Sequence, residues 1–169
     1  MIKVLVSSCL LGEAVRYHGG DALCTSTILD RWRAEGRLVP VCPETAAGLP
    51  VPRPPAEMAG GDGADVLKGR AVVGDSTGRD VTGAFVAGAR AALASAVANG
   101  VRLAVLKDGS PSCASSYIYD GSFRGQRDSG QGVTAALLSQ AGIRPFSEKQ
   151  LEQAAAYLEA LEGGRSPRR

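Results

Sequence analysis

Apolar residues recur along this chain in two rhythms. Ile2 to Ser7 is a short continuous run rich in β-branched residues, the pattern of a strand buried on both faces. Val101 to Leu106 is a second such run, and Leu38-Val39-Pro40-Val41 a third, weakened by Pro40, which cannot donate to a ladder. Between them the period lengthens. Thr25-Ser26 can cap a helix that runs to about Glu35 and stops at Gly36. Val81, Phe85, Ala89, Leu93 and Val97 recur every four residues between Asp80 and Asn99-Gly100, predicting a helix with one apolar stripe. Val133 to Gln140 predicts another helix. Ser147 with Gln150 reads as the capping box of a last one, burying Leu151, Ala155, Leu158 and Leu161.

Weaker signals fill the gaps. Val66-Leu67 and Ala71-Val72-Val73 predict a strand pair joined by Lys68-Gly69, and Tyr117 to Phe123 a hairpin turning at Asp120-Gly121. A Pro-rich loop runs from Pro43 to Pro55. Gly60 to Asp65 lacks the distal Glu of an EF-hand and the Gly-Lys-Ser/Thr of a P-loop, so it reads as a flexible loop. Strands alternating with helices imply α/β architecture, a small Rossmann-like three-layer sandwich with a mostly parallel sheet. One domain is expected over 1–162, with a disordered basic tail over 163–169.

A chain of 169 residues buries enough surface to need neither disulfides nor a structural metal. Its 22 glycines point to many tight turns or close backbone approaches. Of 19 basic residues, Arg165, Arg168 and Arg169 lie in the tail, so elsewhere 16 bases face 17 acids. That balance shows no basic groove and argues against a large nucleic-acid partner. The longest apolar run, Ala91 to Ala98, is far short of the ~18 residues of a membrane span, and the amino end lacks a leader's apolar core. A cytoplasmic protein is expected, with its oligomeric state open.

In a reducing compartment Cys9, Cys24, Cys42 and Cys113 are expected to be thiols, ligands or nucleophiles rather than disulfides. No Cys-x-x-Cys is present. Cys9, Cys42 and Cys113 each fall just past the end of a predicted strand, and ligands of open parallel sheets bind at the carboxyl strand ends. These three should converge, with Cys24 outside the set. Three thiolates can hold zinc with an open position or three irons of a cubane cluster, and the residues alone leave both open, with a metal-free thiol site as a third reading.

Several words carry a resemblance: Ser8-Cys9-Leu10-Leu11-Gly12, Val15-Arg16-Tyr17, Cys42-Pro43-Glu44, Gly48 to Arg53, Pro55-Ala56-Glu57, Thr82-Gly83-Ala84-Phe85, and Leu106-Lys107 before Ser110-Pro111-Ser112-Cys113. In this order, from the first strand to about Ile143, the chain resembles the thiouracil desulfidase family. The resemblance implies a [4Fe-4S] cluster held by Cys9, Cys42 and Cys113, and non-redox desulfuration of a thiolated nucleobase or nucleoside, thiouracil giving uracil and sulfide. The substrate sulfur would sit on the fourth iron while water adds to the ring carbon. Departures are His18, Ala47 and Ala114, where the family often has Asp, Gly and Gly.

Glu44 is the candidate general base for that water. Ser110 or Ser112 could bond the ring or the sulfur, and the family likeness favours Ser110 for catalysis, leaving Ser112 with Arg16, Tyr17 and Lys107 as candidate substrate contacts. Bland readings stand beside these: Ser110 and Ser112 as turn residues around Pro111, Lys107 as a solvated charge, and Arg16, Tyr17 and Arg53 in ion pairs or packing. The competing function is a zinc-stabilised module binding nucleotides or modified RNA without turnover.

Overall fold

The apolar runs organise a computed structural model that describes residues 1–164. From residue 165 onward the expected basic tail lies outside the described residues. In chain order the elements are β1 (Val4–Ser7), α1 (Thr27–Ala34), β2 (Leu38–Val41), α2 (Pro43–Ala46), β3 (Ala56–Ala59), α3 (Gly63–Leu67) and β4 (Val72–Asp75). There follow α4 (Thr82–Ala98), β5 (Leu103–Leu106), β6 (Tyr117–Tyr119), β7 (Arg127–Ser129), α5 (Val133–Gln140), β8 (Arg144–Ser147) and α6 (Leu151–Glu162). A 3-10 turn, Ser8–Leu11, continues directly from β1.

Four strands form a parallel sheet in the order β2-β1-β5-β8. Side chains alternate across it. Val4, Val6, Leu103 and Val105 pack with Leu29 and Trp32 of α1 and Leu151, Ala154 and Leu158 of α6. Leu5, Ala104 and Leu106 face the other way, against Ala92 and Ala96 of α4 and Ala135 and Leu138 of α5. The central strands β1 and β5 are therefore sealed on both faces. Pro40 is tolerated because β2 is an edge strand, where a missing N–H need face no partner. Beside the sandwich, the antiparallel pair β3-β4 packs with α3, Phe85, Ala89 and Val133 around Met58 and Val73.

Some expectations need correction. Val66-Leu67 is helical: Asp62 and Asp65 form a reciprocal capping box that opens α3 out of the supposed loop 60–65. Ala71 to Val73 accordingly feeds β4, whose partner is β3. The hairpin after Tyr117 is wider than expected, pairing Tyr117 with Ser129 and Tyr119 with Arg127 around residues 120–126. The Pro-rich loop begins with the short helix α2. Ser147 ends β8: Gln150 Oε1 accepts from the Ser147 N–H at 3.0 Å, but Ser147 Oγ accepts from Lys149, so the pair shapes a strand-to-helix turn and α6 starts later. In α4 the buried positions are Phe85, Gly88, Ala89, Ala92 and Ala96, while Val97 is 68% exposed. A four-residue step overshoots the 3.6-residue turn, so the expected stripe drifts off the core face.

Candidate active site

Each strand of the sheet delivers something to its carboxyl edge. β1 runs through Ser7 into the 3-10 turn that carries Cys9; β2 ends at Val41, and Cys42 is the first residue beyond it, preceding α2. β5 passes into the loop 107–116, which contains Cys113. β8 ends beside Glu148. A cavity of about 410 Å³ opens over this edge, lined by Cys9, Cys42 and Cys113 together with Arg16, Tyr17, Glu44, Lys107 and Ser110. The convergence expected from topology is present.

Two glycines let the cysteine loops be gripped from behind. A Cβ on Gly88 of α4 would overlap the carbonyl of Pro43, next to Cys42. A Cβ on Gly132 would overlap the backbone of Ser112, next to Cys113. The loop around Cys113 is further organised by Asp108, which is 5% exposed. Its Oδ1 accepts from the N–H groups of Gly109, Ser115, Ser116 and Tyr117 at 3.1–3.3 Å, and its Oδ2 from the Ser116 hydroxyl. Burial pushes this carboxyl's pKa up, but the Ser116 hydroxyl and the backbone donors outweigh it and hold the group below its ordinary 3.8. Ser110 Oγ accepts from Ser112 N and Cys113 N, both at 3.1 Å, which leaves its own hydrogen free to donate into the cavity.

The thiols feel one another and their surroundings. Burial pushes Cys9 from 9.0 up to about 11, opposed by Arg16 and Lys107 and reinforced by Cys42. Burial also raises Cys113 strongly, with the Ser7 hydroxyl bonding it in opposition and Cys9, Glu44 and Cys42 adding to the rise. All four cysteines are free. To hold a metal centre, Cys9, Cys42 and Cys113 would each bind as a thiolate, with its proton released to solvent. Among the described residues no three of His, Cys, Asp and Glu gather as a single-ion site. A donor set of three thiols, with no histidine among the described residues that line the cavity, suits the thiolate ligation of an iron–sulfur cluster.

The remaining residues separate into those that face the cavity and those already engaged. Glu44 Oε1 lies 3.4 Å from Arg53 Nε, and Arg53 also bonds the carbonyls of Pro50 and Val15. Burial raises the Glu44 pKa, and the Arg53 and Arg16 charges pull it back. Lys107 Nζ bonds Glu148 at 3.0 Å and the Asp108 carbonyl at 2.9 Å, so its charge is held beside Cys9 rather than free in the cavity. Ser112 does not line the cavity at all. It is fully buried beneath it, with its hydroxyl unpartnered, and cannot touch a ligand there. Cys24 lies outside the cavity, packed against the core on the α1–α6 side. Lining residues given no role from the sequence include Asp108, Glu57, Tyr117, Tyr119 and Phe123.

Residues 4–150 match the 2-thiouracil desulfurase family. The Bacillus subtilis (strain 168) protein named "Uncharacterized protein YbbK" is 45% identical over 148 residues, which is 88% of this chain and 97% of that one. A solved structure of the [4Fe-4S]-dependent thiouracil desulfidase TudS (DUF523Vcz) matches with a TM-score of 0.86 at 46% identity, covering 94% of this chain and 99% of that one.

Proposed function

Because this chain belongs to the 2-thiouracil desulfurase family, we propose that it is a [4Fe-4S]-dependent desulfidase that converts thiolated pyrimidines such as thiouracil to the oxo base and sulfide. The observation that carries this reading is the meeting of Cys9, Cys42 and Cys113 in one cavity with the partly buried Glu44 carboxylate and the Ser110 hydroxyl. Held by three thiolates, such a cluster supplies one iron without a protein ligand, a soft Lewis acid matched to a thiocarbonyl sulfur.

The chain's own groups do the rest. Glu44, with its pKa raised by burial and restrained by Arg53 and Arg16, takes a proton from water attacking the ring carbon and returns it later. Ser110, its oxygen already occupied by two N–H donors, offers its hydrogen to the heterocycle. Arg16 and Lys107 place positive charge beside Cys9, favouring its thiolate form. Tyr17 closes one side of the cavity as a substrate contact. The four free cysteines suit a reducing setting such as the cytoplasm.

The deciding experiment is iron and acid-labile sulfide analysis of anaerobically handled protein, followed by a sulfide-release assay on 2-thiouracil. About four irons per chain and sulfide release are expected. Serine at Cys9, Cys42 or Cys113 should abolish both, whereas Cys24→Ser keeps them. One zinc per chain with ligand binding and no product would instead support a metal-stabilised binding module.

A further inference from the structure

Among the described residues Phe123 is the single non-glycine with positive φ, at 57°. A bulky aromatic residue avoids that conformation, because its Cβ crowds the following carbonyl. Something must hold it there. Phe123 sits in the tip between β6 and β7, and that tip is tied to β3: Glu57 Oε1 accepts from Gly121 N at 3.0 Å and from Phe123 N at 3.2 Å. Gly121 lies so close to Met58 of the same strand that a Cβ would overlap its carbonyl. Glu57 and Phe123 both line the cavity over the cysteines.

The other aromatic rings of the cavity are engaged. The Arg127 guanidinium covers Tyr117 at 4.2 Å and reaches Tyr119 at 5.9 Å, and Tyr17 meets the His18 ring edge-on at 4.8 Å. Among the described residues Phe123 alone of these rings has no ring or guanidinium packed on it, and it is 40% exposed. A strained backbone that presents an uncovered apolar ring to a cavity is an arrangement retained for a ligand rather than for stability. We propose that Phe123 is a specificity-determining residue against which the planar ring of the thiolated pyrimidine packs, and that Glu57 is the positioning residue that holds it in place. The inference rests on the desulfidase reading.

The test uses the full chain, reconstituted anaerobically, with 2-thiouracil as probe. Phe123→Gly removes both ring and strain, so KM rises about tenfold with kcat little changed, while the protein melts at or above the wild-type temperature. Phe123→Tyr keeps the wild-type KM. Glu57→Ala raises KM in the same direction, and Glu57→Gln, which retains the acceptor oxygen, restores it. Iron content stays at the wild-type level throughout. Equilibrium dialysis of 2-thiouracil gives the same ranking when the substitutions are carried in a Glu44→Gln background, where turnover is slowed. A Phe123→Gly variant that binds as tightly as wild type, or melts below it, overturns the proposal, as does Glu57→Gln behaving like Glu57→Ala. Absence of 2-thiouracil binding by wild type overturns it too. Wild-type binding without sulfide release would defeat the desulfidase reading while leaving the ring-packing result to stand or fall on the dialysis.

Discussion

Gly88 of α4 lies flush against the carbonyl of Pro43, the residue after Cys42. The contact sets how near the long helix comes to a cysteine loop, and the obstacle to any larger side chain is backbone. Gly88→Ala must therefore displace Pro43 or the helix. A loss of about 1–3 kcal/mol is expected from overpacking, read as a lower denaturation midpoint at unchanged slope. Iron bound per chain after anaerobic reconstitution should fall with it.

Glu44→Gln preserves size and burial but removes the proton acceptor. The rate of sulfide release should drop about 10²- to 10⁴-fold, the usual contribution of a general base, with iron content unchanged. Steady-state kinetics on quantified holoenzyme check this, and an unaltered rate would remove Glu44 from the mechanism.

Asp108→Ala leaves the N–H groups of Gly109, Ser115, Ser116 and Tyr117 and the Ser116 hydroxyl without their acceptor. A loss of about 2–4 kcal/mol is expected, because several donors are stranded together in a buried loop. Asp108→Asn, which keeps one acceptor oxygen, should lose less. Chemical denaturation of the two variants separates these outcomes.

Far from the cavity, Arg37 binds Glu162 at 2.6 Å and Glu35 at 2.7 Å, joining the entry to β2 with the end of α6. The bond from Arg37, with that from the Ile2 N–H, holds the Glu162 carboxyl below its ordinary 4.5. A depressed carboxyl pKa adds stability above the unfolded value, and that increment is lost as pH falls through the folded one. Glu162→Gln should therefore lower Tm at neutral pH by about 2–4 °C. The gap to wild type should close as both are titrated into the acid range, measured by thermal unfolding across pH.

The sequence foretold the parallel core because β1 and β5 are buried on both faces, and such strands are written as unbroken apolar runs. The thiol trio was legible for the same reason, since strand ends locate the ligand edge. The strand β8 was not. Its four residues include Pro145 and run straight into a motif that also reads as a helix cap. Missing it hid Glu148 and thereby the partner of Lys107. The roles of Asp108 and Glu57 were not legible for another reason: each acts mainly through backbone N–H groups, and those donors carry no side-chain signature. Ser112 misled because one serine in Ser-Pro-Ser lines the cavity and the other is fully buried, a difference the spacing does not reveal.

Successive members of the thiol trio lie 33 and 71 positions apart and enter from three neighbouring strands. A centre bound to all of them cross-links the chain, closing two long loops and depriving the unfolded state of entropy much as a disulfide does. During synthesis no such link can form before Cys113 has been made and β5 has docked beside β1. Metallation through this trio would thus follow the assembly of β2, β1 and β5, and the loaded protein would be a fastened version of a core already made.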